Sequence, residues 1–528
     1  MSSRWSALVV LSAAQFLMVL DQAVMNVSIT QLTVDFDTTV TTVQAVITCY
    51  ALVMAATMMI GAKVGDIIGR RRAFVIGLLI YGTGSALTAV SWNIGALLLG
   101  WSVLEGIGAA LVLPSLVTLI AANHSGRDRV TAFGVIGGVA GVGIAAGPIV
   151  GGWFTSNLSW RWVFVGEVIL AGLIVASSRL VDDADPLERR PRLDIVGAVT
   201  SSLGLGLVVI GLLQAGSWGF VEPKSSPVEP FGFSLTPFVV LAGFVVLWVF
   251  VRWQEQRSSR GDDPLVRLEL LANVRLRAGL ACFLGQNLIL LGVFFTLPLF
   301  LQIVLGLDAL ETGVRMLPVS IAMFLTSSCG PLLSNRFGVK RVVQTGFVVD
   351  AIAAFAMIET VGPDLDGVSF ALALTVLGVG MGLIASQLGN VVTSSVAPAD
   401  RGEAGGLQYT SQQLGSAMGT ALIGAVVVSA LVTAFVGDIS SDERIAAELT
   451  EEIEVRVAAG ASFVAADAVE TALVAADVDA PQVEAVVESY EEAQLDALRR
   501  GLLLAAFLAL ASLAATRHLP ASTAHDEP

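Results

Sequence analysis

An all-α polytopic membrane protein is what this 528-residue sequence predicts, on three observations. Hydrophobic residues make up 55% of the chain and charged residues only 14%, with a mean hydropathy of +0.80, a composition outside the range of soluble domains. The apolar residues gather into about fourteen stretches of the roughly 20 residues that a helix needs to cross about 30 Å of hydrocarbon. Basic residues collect in alternate connections, the pattern expected when those connections face the cytoplasm.

By that length criterion the spans begin near Ser6, Val43, Ala73, Gly95, Val130, Arg161, Ile195, Thr236, Leu276, Thr312, Val342, Ser369, Gly405 and Leu498. The first carries Asp21 late in its run and no small-residue cleavage pattern, so it reads as a retained span and not a signal peptide. With an internal N-terminus, the cytoplasmic connections hold Lys63 with Arg70, Arg71 and Arg72, then Arg127 and Arg129, then Arg179, Arg189, Arg190 and Arg192. Arg252 to Arg277, Arg336 to Arg341 and Arg401 follow, and an even number of spans returns Arg517 and His518 to the same side. Cys49, Cys282 and Cys329 fall inside or beside spans, so no disulfide framework is indicated.

The net charge of −15 has a location. Residues 436–496 hold sixteen Asp/Glu against Arg444 and Arg456, nearly the whole imbalance. Within this loop Ile445, Leu449, Ile453 and Val457 recur every four residues, and Pro481 opens a second amphipathic run through Val483, Val486, Val487 and Tyr490. The pattern predicts a small acidic helical cap on the outer side; a solvated spacer is the other reading. A basic nucleic-acid surface is absent from the sequence, so nucleic acid is excluded as a partner.

The fifth span carries Gly134, Gly143, Gly147, Pro148, Gly151 and Gly152 in the spacing GxxxxxxxxGxxxGPxxGG. Glycines at these intervals clear one helix face for close backbone approach, and Pro148 breaks the hydrogen-bond ladder where the helix must bend. This run resembles the antiporter motif of the major facilitator superfamily. The connection from Gly61 to Arg72 resembles that superfamily's GxLADRxGRR loop, with Ala62 replacing its first glycine and Ile67 the basic residue after Asp66. Gly69 permits the tight turn, Asp66 can accept from backbone amides at a neighbouring helix start, and Arg70 and Arg71 hold the loop at the inner surface. Asp66, Gly69, Arg70 and Arg71 together form the expected conformational latch.

An echo of the loop recurs about 269 residues later, aligning Gly69 with Gly338 and Asp66 with Asn335. It pairs span 2 with span 10 and implies a major facilitator fold of two six-helix bundles plus two inserted helices. The expected divisions are 1–182 for the first bundle, 193–256 for the inserted pair, 270–518 for the second bundle and 436–496 for the acidic loop. Transporters built from such repeats bind substrate near the midplane and rock one half against the other.

Coupling chemistry belongs to ionisable groups inside the membrane, where charge is costly and seldom kept without use or partner. Asp21 lies in a segment, Leu20 to Val27, that resembles the family's LDxTxVNVAL motif, whose aspartate is associated with proton and substrate coupling; Asn26 belongs to the same run. Ser102 to Ala110 resembles RVLQGxGAA, with Ser102 in place of the arginine and Glu105 in place of the glutamine. A mid-membrane carboxyl without that cation is suited to exchange a proton, so Asp21 and Glu105 are the proton-coupling candidates. Glu167 follows a WRWxF entry where the family more often has asparagine, and Asp350 either faces the cavity or pairs with Arg315. Gln286, Asn287, Tyr409 and Gln412 complete the substrate-cavity candidates with Asn26, Glu167 and Asp350; Gln412 stands where relatives commonly carry arginine.

The resemblance implies a fourteen-span drug:proton antiporter exporting lipophilic small molecules from a bacterial cytoplasmic membrane, with protons, substrate and membrane lipids as its partners. A phosphate-binding GxxxxGK[ST] loop, a His/Cys metal cluster and a nucleophile elbow are all missing from the sequence, so ATP-driven and enzymatic readings lack support and no cofactor or metal is expected. Two alternatives stand beside it: a dedicated exporter of one metabolite, lipid or siderophore, and a membrane sensor or platform that binds a protein partner through the acidic loop.

Overall fold

The structure is a computed structural model that describes residues 3–27, 29–38, 40–184, 191–223, 226–363, 365–458 and 463–521. Arg189 and Arg190 lie outside these, as do the side chains of Asn26 and Val457. Among the described residues the secondary structure is all helical. Spans 1 to 6 are Ser3–Val27, Val40–Ile68, Arg70–Ala89, Ile94–Asn123, Gly126–Asn157 and Arg161–Ser177. Spans 7 and 8 are Ile195–Trp218 and Thr236–Ser259. Spans 9 to 14 are Val274–Val304, Ala309–Phe337, Val339–Thr360, Gly367–Ser394, Arg401–Ser441 and Ala480–Ser512. Thirteen are long and apolar enough to cross a membrane among the described residues. The remaining one, span 10, is a continuous 29-residue helix whose apolarity is lowered by Arg315, Ser320, Thr326, Ser327 and Ser328.

Two hydrophobic cores organise these helices. One joins spans 1 to 6 around Leu17, Met18, Phe74, Trp101 and Phe164; the other joins spans 9 to 14 around Phe300, Phe347, Met357, Phe370 and Ile423. Span 5 packs on spans 10 and 12, and span 13 on spans 2 and 4, to unite the halves. Span 7 lies against spans 2 and 13 at that seam and carries span 8 on its other side. Asp194 ties the inserted pair together: its buried carboxylate caps span 7 through the Gly197 amide at 3.0 Å and accepts from Gln254 at 2.8 Å and Trp253 at 3.1 Å, both on span 8.

The repeat seen in the sequence has a geometric counterpart. Gly69 and Gly338 both precede a helix with φ of 99° and 81°, a region where an L side chain would be strained. Beyond them, Gly77 of span 3 crosses Gly108 of span 4 with backbone against backbone, and Gly346 of span 11 crosses Gly380 of span 12 likewise. Gly106 against Val53 recurs as Gly378 against Ala322.

The helix of span 5 is continuous through Pro148. One ladder bond is lost, but neighbours hold the helix on both sides. A Cβ on Gly147 would overlap Ala23, one on Gly143 would come within 3.0 Å of Val19 and one on Gly151 within 3.1 Å of Val24, so the glycine face receives span 1. On its other side Pro148 and Ile149 close on Gly313 of span 10. Gly134 and Gly152 are buried on the same helix.

The acidic segment folds. Helix Ala447–Ala458 packs on span 13 and helix Ala466–Ala475 on span 14, which begins at Ala480 and not near Leu498. The amphipathic run after Pro481 lets one helix continue from this cap into the bundle. Ile439, Ile445, Ile453, Leu473, Val483 and Val486 are buried in one core with the second bundle, and Phe435 meets Tyr490 edge to face at 5.2 Å. A solvated spacer would not bury these side chains.

Candidate functional site

Three carboxyls from three helices converge inside the first bundle. Asp21 of span 1, Glu105 of span 4 and Glu167 of span 6 are each at most 2% exposed, and one oxygen from each lies within 4.8 Å of the others. Sequence order gives no hint of this, since the three are separated by some 60 to 80 residues. They meet because Asp21 and Glu167 lie near the same ends of adjacent spans, while Glu105 closes a π-helical stretch, Leu98–Glu105, whose wider turn shifts the face that span 4 presents.

Neutral donors surround the cluster. The Trp101 indole N–H donates to Asp21 Oδ1 at 2.7 Å, and its ring stacks on Tyr50 with centroids 4.6 Å apart. Thr88 donates to Glu105 at 3.3 Å, and Tyr81 and Ser85 donate to Glu167 Oε2 at 3.1 and 3.3 Å. Asp21 Oδ2, Glu105 Oε2 and Glu167 Oε1 have no hydrogen-bond partner. Ser102, in the expected arginine's place, donates instead to the Val46 carbonyl at 2.7 Å, and no cation pairs with the trio among the described residues. Three such carboxyls cannot all be ionised side by side in a buried site, so protons or a bound cation must share it. Trp101, Tyr50, Tyr81, Ser85 and Thr88 escaped the sequence reading; the only signal was their polarity or aromaticity within otherwise apolar spans.

The latch loop closes one end of the molecule. Asp66 pairs with the Arg70 guanidinium, which presses on Gly402 at the start of span 13. The expected acceptance of a helix-start amide falls to another residue: Asp183 takes the Arg71 amide at 2.9 Å, because Asp66 is committed to Arg70. Lys63, unremarked in the sequence except as a basic loop residue, pairs with Glu403 of span 13 at 3.1 Å, both side chains 4% exposed. Glu403 also accepts from the Arg267 amide at 3.1 Å, and Arg267 pairs with Asp400. Arg129 of span 5 donates to Asn390 of span 12 at 2.8 Å. The charged contacts named here between the halves therefore gather at this end.

The remaining candidates separate. Tyr409 of span 13 donates across the seam to Gln15 of span 1 at 3.1 Å, with Gln412 half-buried one turn further on. Gln286 donates to the Met381 carbonyl inside the second bundle, and Asn287 bonds its own helix at Phe283. Asp350 does not pair with Arg315, which is exposed; it is buried against Gly380, with neither oxygen bonded. Arg161 pairs with Asp35 at 2.9 Å, donates to the Ser91 carbonyl and covers Trp160 at 4.4 Å. Burial disfavours the Asp35 carboxylate, but Gln31, Trp160 and Arg161 outweigh it and hold the group below the usual carboxylate range.

Similar proteins share this architecture. The probable actinorhodin transporter of Streptomyces coelicolor is 29% identical over 84% of this chain and 76% of its own length. The puromycin resistance protein of Streptomyces alboniger is 31% identical over 81% and 82% of the two chains, and the tetracenomycin C resistance and export protein of Streptomyces glaucescens 28% identical over 83% and 78%. Among solved structures, the human organic anion transporter MFSD10 matches with a TM-score of 0.56 at 16% identity, covering 81% of this chain and 94% of that one. The proton:xylose symporter XylE matches with a TM-score of 0.53 at 15% identity over 96% and 95%. The sequence profile of the Major Facilitator Superfamily matches residues 11–420, and the chain is a multi-pass membrane transporter of that superfamily, not an enzyme.

Proposed function

We propose that this protein exports lipophilic small molecules in exchange for protons by alternating access, from a bacterial cytoplasmic membrane with both termini cytoplasmic. The observation that carries the reading is the buried trio of Asp21, Glu105 and Glu167, whose unbonded oxygens leave room for protons or for a cationic group but not for both. Proton entry neutralises the carboxyls and releases a cation held beside them, and reciprocal occupancy couples the two flows. The membrane potential adds about 2.3 kcal/mol per charge per 100 mV. Asp66, Gly69, Arg70 and Arg71 latch the cytoplasmic end, and the seam residues Tyr409 and Gln412 line the substrate path. We take 1–182, 193–256 and 270–518 as the moving and inserted units.

A narrower reading has support of its own. The Streptomyces relatives are named for actinorhodin, puromycin and tetracenomycin C, single compounds each, so a dedicated exporter of one antibiotic-like metabolite fits them. Both readings meet the same test: movement of a fluorescent lipophilic cation, and of a panel of aromatic antibiotics, in proteoliposomes with an imposed pH gradient. Gradient-driven transport lost in Asp21→Asn supports coupling at the trio. Transport that ignores the gradient, or persists at full rate in that variant, refutes it.

A further inference from the structure

We propose that Asp350 is a second proton-exchange site, housed in the second bundle and turned over in each transport cycle; this rests on the proton-coupled reading above. Asp350 is the twelfth of the 22 residues of span 11, so about 16 Å of helix lies on either side. It is 0% exposed, and neither carboxyl oxygen has a hydrogen-bond partner. The elements packed on span 11 are spans 10, 12 and 14 and the turn Leu513–His518. Their charged groups are engaged elsewhere or lie at helix ends: Arg315 is exposed, Asp366 caps span 12, Arg499 donates to the Val361 carbonyl, Arg500 bonds Asp496, and Arg517 and His518 are exposed. The Glu311 side chain completes the cap of span 10, while Arg336 at its far end is exposed.

The internal repeat shows what is unusual here. The offset of 269 that matches Gly69 with Gly338 and Gly77 with Gly346 matches Tyr81 with Asp350, and both stand beside the glycine of the partner helix, Gly108 or Gly380. In the first bundle Tyr81 donates to Glu167, part of a connected polar network. In the second, Val319 matches Tyr50 by the same offset, and the offset of 272 that matches Gly108 with Gly380 puts Ala373 and Leu377 at the positions of Trp101 and Glu105, all three buried and apolar. One carboxyl thus stands alone where its counterpart is a bonded phenol.

A buried polar group kept for structure is normally bonded, as Asp194 is; an unbonded one is a net cost in the state that shows it. Ionised, it would cost far more, so the carboxyl is protonated in this conformation. Gly346 and Gly380 leave it facing bare backbone, and a small separation of spans 11 and 12 admits water to it. Its O–H then gives a proton to water on the side of low proton concentration, and the carboxylate takes one back on the other side, with no further reactant.

The test uses the full-length protein in proteoliposomes, with the membrane potential clamped at zero and a gradient of one pH unit. Each coupled proton then multiplies the limiting substrate gradient by about ten. Asp350→Asn is expected to lower that limit about tenfold while leaving transport gradient-driven; an unchanged limit overturns the proposal. Purified wild type is also treated with dicyclohexylcarbodiimide, which modifies protonated carboxyls in apolar surroundings, and its peptides are weighed. An adduct on Asp350 is expected; its absence where Asp21 is modified overturns the proposal, and this arm decides should Asp350→Asn fail to fold. Absence of gradient-driven transport in wild type would instead refute the coupled reading of the trio.

Discussion

Removing Lys63 should open the latch end. Its ammonium lies 3.1 Å from Glu403, both side chains 4% exposed, and the pair ties span 2 of one bundle to span 13 of the other. The gross attraction at that distance is about 5 kcal/mol for an effective dielectric constant of about 20, most of it offset by desolvation. Breaking such a pair from one side costs about 3–5 kcal/mol, because a buried charge loses its partner. Glu403 keeps the Arg267 amide at 3.1 Å and the Arg267 guanidinium at 3.5 Å, so its charge is not left unpaired and a figure below that range, about 2 kcal/mol, is the better one. That amounts to about a thirtyfold shift from the closed toward the open arrangement. Spin labels at exposed positions 127 and 337, on spans 5 and 10 of opposite halves, read the separation. Lys63→Met should move population to a longer distance, and adding Glu403→Gln should recover part of the loss, since no buried charge is then left unpaired. An unchanged distance distribution in Lys63→Met would refute the reasoning, as would strictly additive effects.

Three other outcomes follow from the geometry. Gly147→Val should lower the thermal stability of the purified protein and abolish transport, since even a Cβ there overlaps Ala23, whereas Gly166→Ala, with open space around it, should be neutral on both measures. Trp101→Phe keeps the stack on Tyr50 but removes the donor to Asp21; hydrogen bonds to charged groups are worth about 1.5–3 kcal/mol, so gradient-driven efflux should fall at least about tenfold. The lowered Asp35 carboxyl contributes stability that is complete above its unfolded value of about 3.9 and is lost as pH falls through that value toward its folded one. Melting temperatures across acid pH should therefore decline more steeply for wild type than for Asp35→Asn, which starts lower and lacks this titration.

The membrane class, the glycine face of span 5 and the latch loop were legible because each is written in contiguous residues. Gly147 declares itself by spacing alone, although the partner it receives, Ala23, does not. The acidic cap was half legible: Ile445, Ile453, Val483 and Val486 marked its buried faces, but helix Ala466–Ala475 carries only the short stripe Ala466, Val469 and Leu473, and the continuity of the cap with span 14 depends on packing. The site was legible only as separate residues. Asp21 and Glu105 stood out by their motifs, while Glu167 read as a cavity residue because periodicity in a membrane span does not say which face turns inward. Lys63 looked like any basic loop residue, since its partner lies 340 positions away. Asp350 suggested an ion pair with Arg315 on sequence grounds; helix rotation places Arg315 on the exposed surface and Asp350 in the core.

The central claim is that protons and substrate share the trio of carboxyls, and proton release on ligand binding measures it most directly. A lipophilic cation known to bind is titrated into purified protein in unbuffered detergent solution near neutral pH, with a pH indicator present. The account predicts acidification that saturates with binding and shrinks when Asp21→Asn, Glu105→Gln and Glu167→Gln are combined. Binding to wild type without acidification, or release of equal size from the triple variant, would contradict it.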